Sequence, residues 1–246
     1  MHCGIPMNHL KRNWRVSALF SRTLIIMAHP DDEILGCGGL LAKHSKSMTF
    51  QVLFLAEGSS CRYDKSDLEK AKISIAEREK SAKEALSIFE PDRISFTNLP
   101  CGRLDQVPIL ELNKTIESHI KDFKPSTIFT HSENDTNSDH RRVAESVFMA
   151  SRPGALNTVS NVVSAEIPSS SEWNFNQPFQ PNYFIKLTDS QLNVKIEALL
   201  KYKSEIREYP FPRSPEGISA FARYRGVQSG NEFAEAFRII RSIENS

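Results

Sequence analysis

Four consecutive apolar residues, Leu24-Ile25-Ile26-Met27, run directly into Ala28-His29-Pro30-Asp31-Asp32-Glu33, and Gly36-Cys37-Gly38-Gly39 follows. An unbroken apolar run of this kind reads as a strand buried on both faces, the condition of a parallel sheet covered by helices. The polar cluster then lies at the strand's carboxyl end, where open α/β sheets bind their ligands. The chain is thereby confined to an α/β architecture with one edge at which chemistry can occur.

The same rhythm continues downstream. Strands are predicted at Thr23–Ala28, Phe50–Leu55, Arg93–Phe96 and Thr127–Thr130. They alternate with helices over Ile34–His44, Glu69–Phe89, Val107–Phe123 and Asp139–Ala150. In the long second helix the spacing turns Ile73, Ala76, Ala82, Ala85, Leu86 and Phe89 inward, and Pro91 ends it. This order predicts an α/β fold of three layers, a Rossmann-like, mostly parallel sheet with helices on both faces.

Beyond Ser151 the pattern changes. Val159–Ile167 and Tyr183–Leu187 read as strands, Pro168–Pro181 as a surface loop, and Thr188-Asp189 as the cap of a helix running to about Tyr202. Glu208–Pro215, with three prolines, reads as extended, and Glu232–Ile243 as a terminal helix. These make a carboxyl-terminal elaboration of one domain, 21–246. An N-terminal arm, 1–20, precedes it, with Trp14–Phe20 expected to dock on the domain.

Thirty-one Lys plus Arg against 30 Asp plus Glu give a net charge of +1, so nothing draws the chain globally to nucleic acid or an anionic membrane. No apolar run reaches the ~20 residues that span a bilayer. The first residues carry Lys11, Arg12 and Arg15 without an apolar core, so no signal peptide and a cytoplasmic location are expected. Cys3, Cys37, Cys61 and Cys101 match neither a zinc ribbon nor a disulfide framework and read as reduced thiols. Cys37 lies near the polar cluster, but a free buried cysteine usually behaves as a small hydrophobe. A homo-oligomer is compatible with the sequence.

A second polar stretch, Thr130-His131-Ser132-Glu133-Asn134-Asp135-Thr136-Asn137-Ser138-Asp139-His140, follows the fourth strand as the first cluster follows the first. Both belong at one sheet edge. His29, Asp32 and His140 then supply two nitrogens and one oxygen, the donor set of an open zinc site. Asp31 is placed to take a proton from a metal-activated water. Singly, His29 could be structural and the two aspartates could cap a helix; at the ends of two parallel strands, together, they make a metal site. His131 suits a hydrogen-bonding role in its loop as well as it suits catalysis. His2, His9, His44 and His119 have no such context and read as surface residues.

Two competing chemistries use the same residues. A dinucleotide-binding oxidoreductase would explain the glycines after strand one and Glu57 at the end of strand two, but Gly36-Cys37-Gly38-Gly39-Leu40-Leu41 lacks the third glycine and two aspartates would repel a pyrophosphate. An Fe(II) oxygenase triad matches the ligand set, but Asp31 has no task there.

The chain resembles the PIG-L/LmbE family of zinc-dependent N-deacetylases. The resemblance rests on Ala28–Glu33 with Asn137-Ser138-Asp139-His140-Arg141. It also rests on Ala56-Glu57-Gly58, Arg78, Arg103-Leu104-Asp105, Tyr224-Arg225-Gly226 and Ala234-Glu235-Ala236-Phe237, spanning about Arg22 to about Arg241. It implies hydrolysis of an acetamide on an amino sugar, with His29, Asp32 and His140 as Zn²⁺ ligands and Asp31 as general base; Fe²⁺ fits the same donors. It further implies substrate contacts by Arg78 and, more weakly, Asp105 and Glu57, and an orienting role for Asp139.

One position departs from the family. A histidine three residues before the third ligand is replaced by Asn137, which can donate to an oxyanion but cannot deliver a proton at neutral pH. Asp31 or His131 is then left to protonate the leaving amine. A carbohydrate-binding protein that keeps the fold without catalysis is the alternative this departure raises. Arg213, Arg223 and Arg225 offer a phosphate clamp for a nucleotide-linked sugar of a surface-polysaccharide pathway, or plain surface charge. The aromatics between Trp173 and Phe211 cover the core or stack on a sugar.

Overall fold

The computed structural model describes residues 20–154 and 158–244. Its elements, in chain order, are β1 (Arg22–Met27), α1 (Asp32–His44), β2 (Thr49–Ala56), α2 (Leu68–Leu86), β3 (Arg93–Leu99), α3 (Ile109–Phe123) and β4 (Thr127–Thr130). There follow α4 (Ser138–Ala150), β5 (Asn161–Ala165), β6 (Tyr183–Leu187), α5 (Asp189–Leu199), α6 (Pro215–Ser229) and β7 (Phe233–Ser242). The expected docking of Trp14–Phe20 lies outside the described residues except at Phe20, whose ring packs beside Phe129 and Tyr183.

All seven strands join one sheet in the order β3-β2-β1-β4-β5-β7-β6. β1 to β5 are mutually parallel, and β7 runs antiparallel between β5 and β6. Strand alternation divides the core in two. Ile25 and Met27 face a cluster with Leu40, Leu86, Leu199 and Ile218 from α1, α2, α5 and α6. Leu24, Ile26 and Ala28 face the opposite cluster, with Leu112, Ile116, Val143 and Val147 from α3 and α4. The expected three-layer, Rossmann-like arrangement is the observed one.

α3 shows how local sequence positions an element. Leu112, Ile116, Ile120 and Phe123 form its buried stripe, Lys124 closes it in the left-handed conformation at φ 52°, and Pro125 prevents continuation. α1 approaches the carboxyl-terminal strands so closely that a Cβ at Gly39 would stand 2.7 Å from Leu187 Cδ1. Glu235 reaches into this junction from β7, accepting from the Gly39 and Leu40 amides and pairing with the buried Lys195 at 2.6 Å.

Three expectations are corrected. The predicted terminal helix over Glu232–Ile243 is the strand β7. Its Ala-Glu-Ala and Arg-rich composition favours helix, but Phe233 to Phe237 are all buried between two neighbouring strands, and that packing outweighs propensity. α6 lies where no helix was expected. Its start carried a readable signal: Ser214 Oγ accepts from the Gly217 amide, Pro215 opens the first turn, and Gly230 closes the helix at φ 68°. In α2, Ile73 and Ala76 are exposed, and the buried stripe runs through Ala71, Arg78, Ala82 and Ala85. Reading the stripe by apolarity alone missed that a paired arginine occupies an inward position. Among the described residues no helix is long and apolar enough to cross a membrane.

Candidate metal centre and catalytic site

β1 and β4 are adjacent, yet the chain leaves β1 for β2 on the other side. Open α/β sheets bind their ligands at such a reversal, above the strands' carboxyl ends. His29, Asp31 and Asp32 come to this place from the turn after β1 and the start of α1, His131 from the end of β4, and Asp139 and His140 from the first turn of α4, all of them buried.

The predicted ligands converge. The donor atoms of His29, Asp32 and His140 lie within 4.8 Å of one another. Asp32 Oδ2 stands 3.4 Å from His29 Nδ1 and 3.3 Å from His140 Nε2. Asp32 Oδ1 and His140 Nε2 are buried without a hydrogen-bond partner. Buried polar atoms left this way are uncommon, and a cation among two imidazoles and a carboxylate would satisfy them.

Each histidine has a carboxylate behind its other nitrogen, the arrangement that orients metal-binding imidazoles. His29 Nε2 bonds Asp139 Oδ2 at 2.9 Å, and Asp139 also accepts from the Gly102 and Leu104 amides at 2.6 and 3.1 Å. His140 Nδ1 lies 3.2 Å from Asp135 Oδ1. Asp135 is anchored by the hydroxyls of Ser170 and Ser171. Burial pushes the His140 pKa down, but Asp32 and Asp135 outweigh it and carry it up to about 10. Burial would raise Asp135, but His140 brings it down to about 2. His131 is stacked on His140 at 3.9 Å between ring centroids, and its Nε2 accepts the Ala28 amide at 2.8 Å. Burial and the neighbouring His140 lower its pKa to about 3, so the ring is neutral.

Asp31 points elsewhere. Its backbone adopts φ 120°, which for a residue with a side chain stores on the order of 1–3 kcal/mol. Its side chain caps nothing in α1. The turn sends the two neighbouring carboxylates apart: Asp32 to the histidines, Asp31 to Arg78 Nη2 at 2.9 Å and Arg213 Nη1 at 2.6 Å. Burial raises the Asp31 pKa although Arg213 and Arg78 oppose it. Behind both arginines sits Glu205, which also holds Arg62 by two bonds of 2.7 Å. Arg78 further donates to the Pro30 carbonyl at 2.8 Å. A Cβ on Gly58, at φ +81°, would stand 3.0 Å from Arg78 Nε and 3.2 Å from His29 Cβ, so this close turn requires glycine.

The remaining predicted residues fall into different places. Glu57 is buried and accepts from the Ser59, Ser60 and Cys101 amides. Asp105 is exposed on the short turn Leu104–Gln106. Asn137 caps α4, its Oδ1 accepting from the Asp139 amide at 2.9 Å. The three arginines do not form a clamp: Arg213 is on Asp31, Arg225 pairs with the buried Glu166, and Arg223 lies over the Phe233 ring. Cys37 is in the core, and the cysteine beside the ligands is Cys101. His44 and His119 are half-buried; His2 and His9 lie outside the described residues.

Sequence reasoning missed Asp135, Glu205 and Arg62. Asp135 stands in the loop between β4 and α4 among other polar residues, and only the fold distinguishes it. Glu205 had no local signal, because its role depends on arginines from three separate segments.

A family model described as PIG-L, GlcNAc-PI de-N-acetylase, matches residues 24–151, from β1 through α4. The diacetylchitobiose deacetylase of Thermococcus kodakarensis is 26% identical over 234 residues, covering 90% of this chain and 84% of that protein. Among solved structures, the N,N'-diacetylchitobiose deacetylase of Pyrococcus horikoshii in complex with its inhibitor superposes with a TM-score of 0.72 at 21% identity, covering 90% of this chain and 84% of its own. The 4-carboxy-2-hydroxymuconate hydratase of Pseudomonas putida shares the fold with a TM-score of 0.67 at 20% identity, covering 92% of this chain and 99% of its own. A hydratase on this fold shows that architecture alone does not select the reaction. The matched segment contains both ligand-bearing turns and the aspartate beside them, and on that ground the chain belongs to the PIG-L family and is one of its N-deacetylases.

Proposed function

We propose that the protein hydrolyses the N-acetyl group of an N-acetylated amino sugar, free or within a conjugate, and releases acetate. The observation that carries this reading is the pair of carboxylate-backed histidines around Asp32, with the adjacent Asp31 held by Arg78 and Arg213. Zn²⁺ is the proposed ion, with Fe²⁺ as the alternative of the same donor set; when bound it would supply Lewis acidity toward the acetyl carbonyl and a water acidified to about pKa 7.

The chain's own residues divide the remaining work. Asp31 takes the proton of the attacking water and returns it to the departing nitrogen. Arg78 and Arg213 hold its carboxylate in place, so Arg78 contributes by positioning the base. His131, neutral with Nε2 accepting the Ala28 amide and its one proton on Nδ1, buttresses His140 and is not the group that protonates the leaving nitrogen. Asn137 keeps an amide N–H group available for the oxyanion while its oxygen caps α4. Glu57 shapes the floor by holding the Ser59–Ser60 turn to Cys101, and Asp105 at the exposed turn meets sugar hydroxyls.

The sugar would stack on the aromatic pair Trp173 and Phe211, whose ring centroids lie 6.1 Å apart. Their segments meet where Arg213 Nε donates to Ser169 Oγ at 2.6 Å. Dispersal of Arg213, Arg223 and Arg225 over separate partners favours an uncharged saccharide over a nucleotide-linked one. Because Cys37, Cys61 and Cys101 are free thiols, a cytoplasmic setting is the proposed one.

The test is acetate release from a panel of N-acetylated mono- and oligosaccharides by zinc-loaded protein, beside Asp31→Asn. The variant is expected to lose about 10²–10⁴-fold in rate while keeping its metal. Equal rates would remove Asp31 from the mechanism, and no release from any sugar would favour a binding protein of the same fold. Trp173→Ala is expected to raise KM several-fold at unchanged kcat, as for a contact made equally in ground and transition states; an unchanged KM would place the sugar elsewhere. Asn137→Ala is expected to lose about 1 kcal/mol of stability from the cap and about 10²–10³-fold in kcat from the oxyanion donor. A stability change without a rate change would reduce Asn137 to its capping role.

A further inference from the structure

Cys61 and Cys101 stand 40 positions apart in the chain, yet their sulfurs lie 3.0 Å from each other. Cys61 sits on the short turn Ser60–Arg62 and is exposed; Cys101 follows β3 and is buried. The contact is built by the backbone. Glu57 accepts from the Ser59 and Ser60 amides on one side and from the Cys101 amide on the other, so one carboxylate ties both cysteine-bearing turns together. Gly102, at φ +70°, brings the second turn in until a Cβ there would stand 3.2 Å from Cys61 Cβ. The Gly102 amide is fixed in turn on Asp139 at 2.6 Å. A disulfide bond is about 2.05 Å long, so sulfurs at 3.0 Å have about 1 Å left to close. The exposed Cys61 side chain can supply that movement while Cys101 stays anchored. The two thiols are also unequal. The hydrogen bond with Cys101 lowers the Cys61 pKa to about 6, although burial opposes it. The same contact and burial push the Cys101 thiol up. An accessible thiolate backed by a protonated thiol is the arrangement of an attacking and a resolving cysteine.

We propose that Cys61 and Cys101 are a site of reversible oxidation, which a peroxide closes into a disulfide that staples the fold. The Cys61 thiolate attacks one oxygen of hydrogen peroxide and the O–O bond breaks. Cys61 becomes a sulfenic acid, and the departing hydroxide takes up the proton the thiol had released, giving one water. The Cys101 sulfur then displaces the hydroxyl group from the Cys61 sulfur. The S–S bond forms as the S–O bond breaks, and a second water leaves with the Cys101 proton. Two thiols are oxidised and one peroxide is reduced to two waters. A thiol reductant reopens the bond by exchange, so in a reducing compartment the pair rests as two thiols and closes only under oxidant. Closed, it constrains the segment that holds α2 with Arg78, and β3. It also stops Cys61 from climbing to the irreversible sulfinic and sulfonic acids. None of these steps draws on the deacetylase reading.

The test is treatment of the reduced, full-length, zinc-loaded protein with hydrogen peroxide, followed by peptide mapping without reduction and by thermal unfolding. The parent protein is expected to lose two hydrogens, to show one link between Cys61 and Cys101, and to regain both thiols with dithiothreitol. At the same dose Cys101→Ser is expected to carry added oxygen on Cys61 in place of the link. Closing a loop of this length without strain is expected to raise the Tm of the oxidised parent by about 10 °C, and the same treatment should leave the Tm of Cys61→Ser unchanged. Free thiols at both positions of the treated parent, or Cys61 joined to Cys3 or to a second chain, overturns the site. A Cys61–Cys101 link with a Tm that is unchanged or lowered overturns the staple, because native strain then cancels what closure removes from the unfolded chain.

Discussion

His140→Ala is expected to lose stoichiometric metal and, with it, acetate release, by a factor at least as large as the about 10²–10⁴-fold expected for Asp31→Asn. The reason is double. His140 Nε2 is buried and makes no well-formed hydrogen bond, its nearest acceptor being the proposed co-ligand Asp32 at 3.3 Å, which leaves the nitrogen available to an ion between them. The same ring, with a pKa near 10, also separates the buried carboxylates of Asp32 and Asp135 in the metal-free protein. Removing it leaves two buried acids without their counter-charge, a change that costs about 3–5 kcal/mol when one partner of a buried pair is lost. Metal analysis, acetate release and thermal unfolding of metal-free protein measure these effects separately. A variant that kept one metal per chain and its rate would show that His140 is no ligand.

Glu205→Gln is expected to destabilise the fold by a similar about 3–5 kcal/mol, because Arg62, Arg78 and Arg213 lose the one carboxylate they share. For a chain of this size that lowers Tm on the order of 10 °C. The rate should fall too, since two of those arginines also grip Asp31. The effect has a pH signature. Burial alone would raise the Glu205 pKa, but the arginines depress it from 4.5 to about 2. A carboxylate depressed on folding contributes stability that is present above its unfolded pKa and is lost as pH falls toward its folded one. The parent protein should therefore lose on the order of 3 kcal/mol through this group as pH drops from about 4.5 to about 2, and the variant should lack that part of the acid limb. Coincident acid limbs for parent and variant would show that Glu205 is not ionised in the network.

Much of the site was legible because it is local. His29 to Asp32 follow an apolar strand without interruption, and His140 follows β4 by one short loop, so periodicity and strand-end placement were sufficient to predict that they meet. Asp139 could be anticipated as an orienting group because it adjoins a ligand. The companion acid Asp135 could not, since a polar loop contains several acids and only the fold selects which one reaches His140 Nδ1. β7 illustrates the opposite failure. Ala234-Glu235-Ala236 prefers a helix in isolation, and it is a strand only because β5 and β6 flank it.

The alternation of the first four strands with their helices, the sheet edge that carries the chemistry and the meeting there of His29, Asp32 and His140 were legible in the sequence alone, because each depends on runs of neighbouring residues. The direction in which Asp31 turns, the Glu205 hub beneath its arginines and the meeting of Cys61 with Cys101 were decided only by tertiary structure. Each joins segments far apart in the chain, and pairing of charges and sulfurs across such distances leaves no periodic trace in the residues between them.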